Sequence, residues 1–332
     1  MYFKGKKILV IGGTGTIGQS VVRSLLKEEP QFIRIFSRDE HKQHIFKSEL
    51  GNLENVYFMI GDIRNYDRVY RAMQDVDYVF HLAAMKHVDI CEINPYEAVM
   101  TNIIGMNHVI EAALKQNVKK VVFTSSDKAI SPTNTYGATK LIAEKLISAT
   151  ERNLSTNNTI FASVRFGNVM GSRGSVIPLF KKQILNDRKL TVTDMDMTRF
   201  MMTVKQATDL TIQALKEAKG GEVFVLKMPV IHLGSLVEVL IDELCTKHHL
   251  NKEDIDIQIT GLRPGEKMYE ELMTFNESKI AWDLLGMYVL TRNGTQTYPT
   301  GRKAKVGTYS SDNEKQLSKD EIRQLLKQAS LI

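Results

Sequence analysis

Hydrophobic positions fall in short, nearly unbroken runs rather than in strict alternation. "KILVI" (Lys7–Ile11), "FIRIFS" (Phe32–Ser37), "VYFMI" (Val56–Ile60), "YVFHL" (Tyr78–Leu82), "KVVFTS" (Lys120–Ser125), "IFASVRF" (Ile160–Phe166) and "EVFVLK" (Glu222–Lys227) are rich in β-branched and aromatic residues and read as strands. Continuous apolar strands belong to sheets covered on both faces. Most of the intervening segments are long enough for a crossover helix. The pattern predicts an α/β fold built on a doubly wound parallel sheet. After Phe166 the alternation weakens into a glycine-rich stretch, Gly167–Gly174, and then a mixture of helices and short strands. Residues 1–166, joined by a late strand near 222–228, therefore read as one unit. Residues 167–332 read mostly as a smaller, interleaved substrate-covering region. Near the C-terminus, "LSKDEIRQLLKQA" (Leu317–Ala329) has the spacing of an amphipathic helix, with Ser318 as N-cap and Glu321 at the capping-box position.

Composition narrows the setting. The chain has 332 residues, 43% of them hydrophobic and 25% charged, which is ordinary for a globular protein with a sizeable core. A net charge of +6 could attract phosphates, nucleic acid or an anionic membrane, but the basic residues are dispersed and read as a solvated surface, with neither nucleic acid nor membrane as a partner. Two cysteines, Cys91 and Cys245, exclude a disulfide framework and a cysteine zinc site. The N-terminus enters a strand at once without a signal-peptide pattern, and no run is long and apolar enough to span a bilayer. A cytoplasmic location is the expectation. His81, His87, His248 and His249 lack metal-ligand spacing, so no metal is expected.

"GGTGTIG" (Gly12–Gly18) follows the first strand and opens a helix. In that context Gly12, Gly15 and Gly18 let backbone amides approach a pyrophosphate at a helix N-terminus, the mark of a dinucleotide-binding Rossmann unit. Where an NAD site would carry a carboxylate for the ribose 2′-hydroxyl, this chain has Ser37 and Arg38, with Lys42 a turn later. A hydroxyl and a guanidinium suit a 2′-phosphate, which favours NADP. Asp62, after the third strand, reads either as an acceptor for the adenine amino group or as the N-cap of the next helix.

Tyr136 and Lys140 are four residues apart and share a helix face. An ammonium there would lower the phenol toward neutrality and make it a usable base. With Ser126 ten residues upstream at a strand tip, this is the hydroxyl–tyrosine–lysine set of a hydride-transfer site. That chemistry has no need of Asp127 and Lys128 beside it. An adjacent acid and base suggest a second proton transfer, such as the removal of water across two carbons.

The chain resembles the NADP-dependent UDP-N-acetylglucosamine 4,6-dehydratases of bacterial polysaccharide synthesis, members of the extended short-chain dehydrogenase/reductase superfamily. The resemblance covers nearly the whole chain. It rests on "GGTGTIG", "RIFSRDE" (Arg34–Glu40), "HLAAMKHV" (His81–Val88), "SSDKAISPTNTYGATK" (Ser125–Lys140), "VRFGNVMGSRGSVIP" (Val164–Pro178) and "GLRPGEKMYEEL" (Gly261–Leu272). It implies that Tyr136, with Lys140, acts on the C4 hydroxyl of the sugar, that Lys128 takes the C5 proton and that Asp127 protonates the departing O6. Lys128 must then be a neutral amine and Asp127 a carboxylic acid. Ser126 stands where the family usually has threonine. The resemblance adds Thr14, Thr16, Ile17, Ile63, Leu82, Ala83 and Ala84 to the cofactor site. It assigns Lys86, Asn168, Arg199, Arg263 and Glu266 to the sugar nucleotide, with the two arginines on diphosphate and ribose. It also implies a homo-oligomer, dimer or hexamer. A UDP-sugar 4-epimerase would keep Tyr136 and Lys140 without needing Asp127–Lys128, and a non-catalytic NADP-binding regulator would typically lose the tyrosine or the lysine, both of which this chain keeps.

Overall fold

The computed structural model describes residues 1–153, 159–172, 174–291 and 296–332. Six parallel strands, β1 (Lys7–Ile11), β2 (Phe32–Ser37), β3 (Val56–Ile60), β4 (Tyr78–His81), β5 (Lys120–Thr124) and β6 (Ile160–Arg165), lie in the order β3-β2-β1-β4-β5-β6. The first three match the apolar runs end to end. Leu82, Ser125 and Phe166 fall just outside their strands, where the chain leaves the sheet toward the crevice. Strand order reverses between β1 and β4, whose pairing is Ile8↔Tyr78 through Ile11↔His81. The connections on either side of that reversal diverge, and a crevice opens at the strand ends. β4 is buried at all four positions, as an inner strand of a two-faced parallel sheet should be. The edge strand β3 differs: Tyr57 and Ile60 are about half exposed, having a neighbouring strand on one side alone.

Val223–Leu226 returns to this sheet parallel to β6. Three further strands, Met287–Leu290, Ala281–Leu284 and Arg302–Lys303, extend it antiparallel to a total of ten. This extension was not foreseen. The run "AWDLLGMYVL" reads as one short apolar segment unless Leu285–Gly286 is taken as a two-residue turn, and Gly286 does adopt φ 82°. A second core lies apart from the sheet, with Phe180, Ile184, Leu190, Leu236, Leu240 and Leu326 among its members. Beside it, strands Asn168–Val169, Thr198–Met202 and Val230–His232 form a small sheet facing the crevice. Helix Lys319–Gln328 closes this core through Ile322, Leu325 and Leu326, and Ser318 and Glu321 form the reciprocal cap expected from the sequence.

Candidate active site

One cleft of ≈ 1180 Å³ runs along the C-terminal ends of β1, β4 and β5 and out to the second core. Except for Lys140, also expected to hold the nicotinamide ribose, every residue expected to meet cofactor or sugar nucleotide lines it, as do Ser126, Asp127, Lys128 and Tyr136. Lys140 alone lies behind the wall, 3% exposed.

The cofactor end is built from backbone. Gly12 has φ 80°, and a Cβ there would meet the Ala83 nitrogen at 2.8 Å; a Cβ on Gly18 would meet the Gly12 carbonyl oxygen at 2.4 Å. Glycine is thus required twice, for conformation and for close approach. The turn delivers helix α1 (Thr16–Leu26) to the cleft with Gly15 at its N-cap and no side chain capping its first amides. A glycine cradle, an uncapped helix N-terminus and a neighbouring strand crossover fit a dinucleotide pyrophosphate. Ser37 ends β2 and its hydroxyl accepts from the Gln43 amide at 3.0 Å, while Arg38 is exposed at the rim. Lys42 does not stand free for a phosphate. Its ammonium pairs with Asp39, which also accepts from the Lys42 amide and caps helix Glu40–Leu50. The capping alternative for Asp62 is likewise excluded, because Asn65 caps helix Tyr66–Ala72. Asp62 instead accepts from the Arg64 guanidinium at 2.7 and 3.0 Å and from the Arg64 amide at 2.9 Å.

At the chemical end, β5 runs into a single 3₁₀ turn, Asp127–Ala129. The Ser126 hydroxyl donates to Asp127 Oδ1 at 2.6 Å. A hydroxyl has one proton, so the Lys128 amide, at 3.2 Å, donates to its oxygen, and the Tyr136 phenol adjoins it. Lys128 Nζ donates to Asp127 Oδ2 at 3.0 Å and to Glu270 Oε1 at 2.9 Å. A hydrogen-bonded line thus runs Ser126–Asp127–Lys128–Glu270, with Tyr136 beside its first member. The first turn of helix Thr135–Asn153 is pressed onto this tip: a Cβ on Gly137 would come within 2.0 Å of the Lys128 carbonyl oxygen. Gly137 is therefore what allows Tyr136 to approach the turn.

The expected action of Lys140 on Tyr136 is not what the geometry gives. The Lys140 ammonium donates to the Thr124 carbonyl at 2.8 Å and lies 4.5 Å over the Phe123 ring, against 6.0 Å to the Tyr136 ring centre. Burial pushes the phenol up, helped by the Asp127 charge and opposed by the Ser126 hydrogen bond. Burial also lowers the Lys140 ammonium to about 7, against Glu144 one helical turn on. Desolvation of both groups outweighs any attraction between them. His81, buried against Phe123, is held neutral by the same cause: burial, then the Lys140 charge, lower it to about 3.

On the substrate side, Arg199 is buried on strand Thr198–Met202, and its role as a diphosphate ligand does not fit. Its guanidinium donates to the carbonyls of Thr198, Met268 and Lys267 at 2.8–3.0 Å and to the Met197 sulfur, and its Nε lies 3.5 Å from Glu270. Both terminal nitrogens already have acceptors. Arg199 organises the Gly261–Leu272 segment, including Glu266 at 3.7 Å, rather than presenting a free donor. Arg263 is exposed in that segment, and its amide is bonded to Glu266 at 3.3 Å. Gly265, at φ 77°, accepts from Thr133 and Asn134, tying the segment to the Tyr136 loop. Asn168 enters from the small sheet, and Lys86 from the loop after β4.

Two groups went unnoticed in the sequence. Glu270 lies inside the Gly261–Leu272 motif without a distinguishing pattern of its own. The buried cluster of Arg165, Glu144 and Glu277 links β6, the Tyr136 helix and the residues after Glu270. No local sequence signal marks Glu270, which meets Lys128 across 142 positions. His248 ends helix Leu233–His248 and His249 is its left-handed C-cap. Among the described residues no three His, Cys, Asp or Glu side chains come together as a metal site.

Comparison with known proteins agrees with this fold along the chain. Residues 8–292 match the model of a family described as polysaccharide biosynthesis protein. A Methanocaldococcus jannaschii protein named as an uncharacterized membrane protein is 44% identical over 331 residues, covering 100% of this chain and 98% of its own. Among the described residues here, no helix is long and apolar enough to cross a membrane. A Rickettsia felis protein named UDP-glucose 4-epimerase is 40% identical over 335 residues, covering 98% of this chain and 96% of its own. The X-ray structure of Pen from Bacillus thuringiensis superposes with a TM-score of 0.95 at 55% identity, over 100% of both chains.

Proposed function

The chain belongs to the polysaccharide biosynthesis protein family, and we propose that within it the protein is an NADP-dependent UDP-N-acetylglucosamine 4,6-dehydratase. The observation that carries this reading is the acid–base pair at the end of β5. Lys128 and Asp127 are hydrogen-bonded to each other, line the dinucleotide cleft and stand one hydroxyl away from Tyr136. Oxidation and reduction at one carbon would need Tyr136, Ser126 and Lys140 alone. A second base and acid serve a C–H proton and a leaving oxygen.

NADP supplies the acceptance and return of hydride. The protein's part is binding and proton handling. The glycine turn and the α1 N-terminus take the pyrophosphate. Ser37 and Arg38 take the 2′-phosphate, without Lys42. Tyr136, beside Ser126, takes the proton of the C4 hydroxyl as the hydride leaves C4. Lys140, anchored on the Thr124 carbonyl, fixes the floor of the site. Lys128 takes the C5 proton, and Asp127 gives a proton to O6 as water leaves. Lys86, Asn168, Arg263 and Glu266 hold the UDP-sugar. In this reading residues 1–166 with the strand near 222–228 serve the dinucleotide and much of 167–332 serves the sugar nucleotide, in an assembly of two or six copies.

A second reading, UDP-sugar 4-epimerase, is favoured by the name of the Rickettsia felis relative. Incubation with UDP-N-acetylglucosamine separates the two. The dehydratase releases a product lighter by one water, without consuming added NADPH. An unchanged mass with appearance of the C4 epimer would overturn it in favour of the epimerase.

A further inference from the structure

The reading of Lys128 as base and Asp127 as acid, on which this inference rests, asks for an amine and a carboxylic acid. The structure pairs the two as a salt bridge, Nζ to Oδ2 3.0 Å. One proton moved along that hydrogen bond converts the resting pair into the reactive pair with no change in total charge. The elimination then closes on itself. The C5–H bond breaks and its proton goes to the Lys128 amine; its electron pair forms the C5–C6 double bond; the C6–O bond breaks; the Asp127 proton goes to O6 and water leaves. Lys128 is again an ammonium and Asp127 a carboxylate.

What sets the balance between the two forms is the charge facing Lys128. Asp127 is on its own turn, and Tyr136 reaches it through Ser126 from the helix. Arg199 faces Asp127 from strand Thr198–Met202, with Glu266 behind it. Glu270 comes from the segment before strand Glu271–Met273, which packs on the Asp127–Ala129 turn. It is 8% exposed and held in place from both ends: its amide donates to the Ser311 hydroxyl at 3.0 Å, and Oε1 accepts from Lys128 at 2.9 Å and lies 3.5 Å from the Arg199 Nε. Its Oε2 is buried without a donor among the described residues. A carboxylate placed for stability alone would have both oxygens bonded. This one is set against one ammonium and the cleft.

We propose that Glu270 is a positioning residue that governs the proton shared by Lys128 and Asp127, holding the ammonium form at rest and keeping Nζ in line with Oδ2. Glu270→Gln removes the charge and keeps the shape. Lys128 lines the cleft, so its labelling by acetic anhydride as a function of pH, read by peptide mass spectrometry on the intact protein, reports when it becomes an amine. The midpoint should move to lower pH in Glu270→Gln by about one to three units, the effect of an opposite charge at this range. Glu270→Asp withdraws the carboxylate by one methylene and should move it the same way by less, with a melting curve showing that each variant is folded. An unchanged midpoint in the folded variants overturns the role of Glu270. The labelling needs no substrate, so it stands apart from the mass-loss measurement, whose failure would remove the dehydratase reading instead.

Discussion

Among the clusters that place one cation between two carboxylates, those of Arg165 and Lys128 behave differently. Arg165 is 2% exposed, forked onto Glu144 at 2.7 and 3.1 Å and onto Glu277 at 3.2 Å, with the Leu272 carbonyl as a further acceptor. Lys128, at 26% exposed, meets Asp127 and Glu270 through one nitrogen and leaves a carboxylate oxygen unbonded. Burial would lower the Arg165 guanidinium, but Glu144 and Glu277 raise it, so it holds its proton at every pH the fold survives. The contrast is one of chemistry as well as burial. A forked guanidinium fixes two elements and cannot exchange a proton. A lysine ammonium at a cleft wall can. The first cluster ties the Tyr136 helix, through Glu144, to the segment that carries Glu270, so the dry cluster positions the reactive one.

Breaking each cluster should therefore give opposite phenotypes. Arg165→Met leaves Glu144 and Glu277 buried without a cation and should destabilise the fold by about 3–5 kcal/mol, read by chemical denaturation. Lys128→Met should lose much less stability while losing turnover. Equal losses of stability in the two variants would erase the distinction. Tyr136→Phe keeps the packing of the ring and should slow oxidation at C4 by roughly 10²–10⁴-fold, with UDP-sugar binding nearly intact by calorimetry. A parental rate would remove Tyr136 from the chemistry.

Lys140 offers a comparison within one helix, because Glu144 belongs to the dry cluster and Lys140 to the reactive wall. Burial lowers its folded-state value to about 7, whereas the unfolded chain holds that proton up to about 10.4. Between those values the unfolded state binds more protons, so stability rises with pH through this window. The destabilising contribution is complete below pH 7 and fades above it. The parent protein should gain melting temperature relative to Lys140→Met as pH is raised across that interval. Parallel curves would contradict the buried-ammonium assignment. The smallest effect is expected from Ser126→Ala, which removes one donor to Asp127, worth about 0.5–1.5 kcal/mol net, and should lower turnover several-fold rather than abolish it.

What could be read without coordinates was whatever sequence neighbours decide. Strand runs such as Lys7–Ile11 are apolar at every position because both faces are covered. Gly12 and Gly18 announce themselves because the turn has no room for a Cβ. The Ser318–Glu321 cap is a local bond. The site was legible as a set of residues facing one cleft, but not as a network. Lys128 meets Glu270 across 142 positions of sequence, and nothing local marks which carboxylate will reach it. Whether Tyr136 is eased or hindered in losing its proton depends on burial, which the i,i+4 spacing with Lys140 does not carry. Arg199 looked available because its acceptors are backbone carbonyls of a distant segment, to which sequence gives no clue.

The central claim is that Lys128 and Asp127 handle two different protons, and exchange at C5 in D₂O tests it most directly. Lys128→Met and Asp127→Asn are each incubated with UDP-N-acetylglucosamine, and the recovered sugar nucleotide is analysed by NMR and mass spectrometry. The account predicts no deuterium at C5 with Lys128→Met, and deuterium at C5 without loss of water with Asp127→Asn. Deuterium at C5 with Lys128→Met but not with Asp127→Asn would reverse the roles, and full activity in both would reduce the pair to a surface ion bridge.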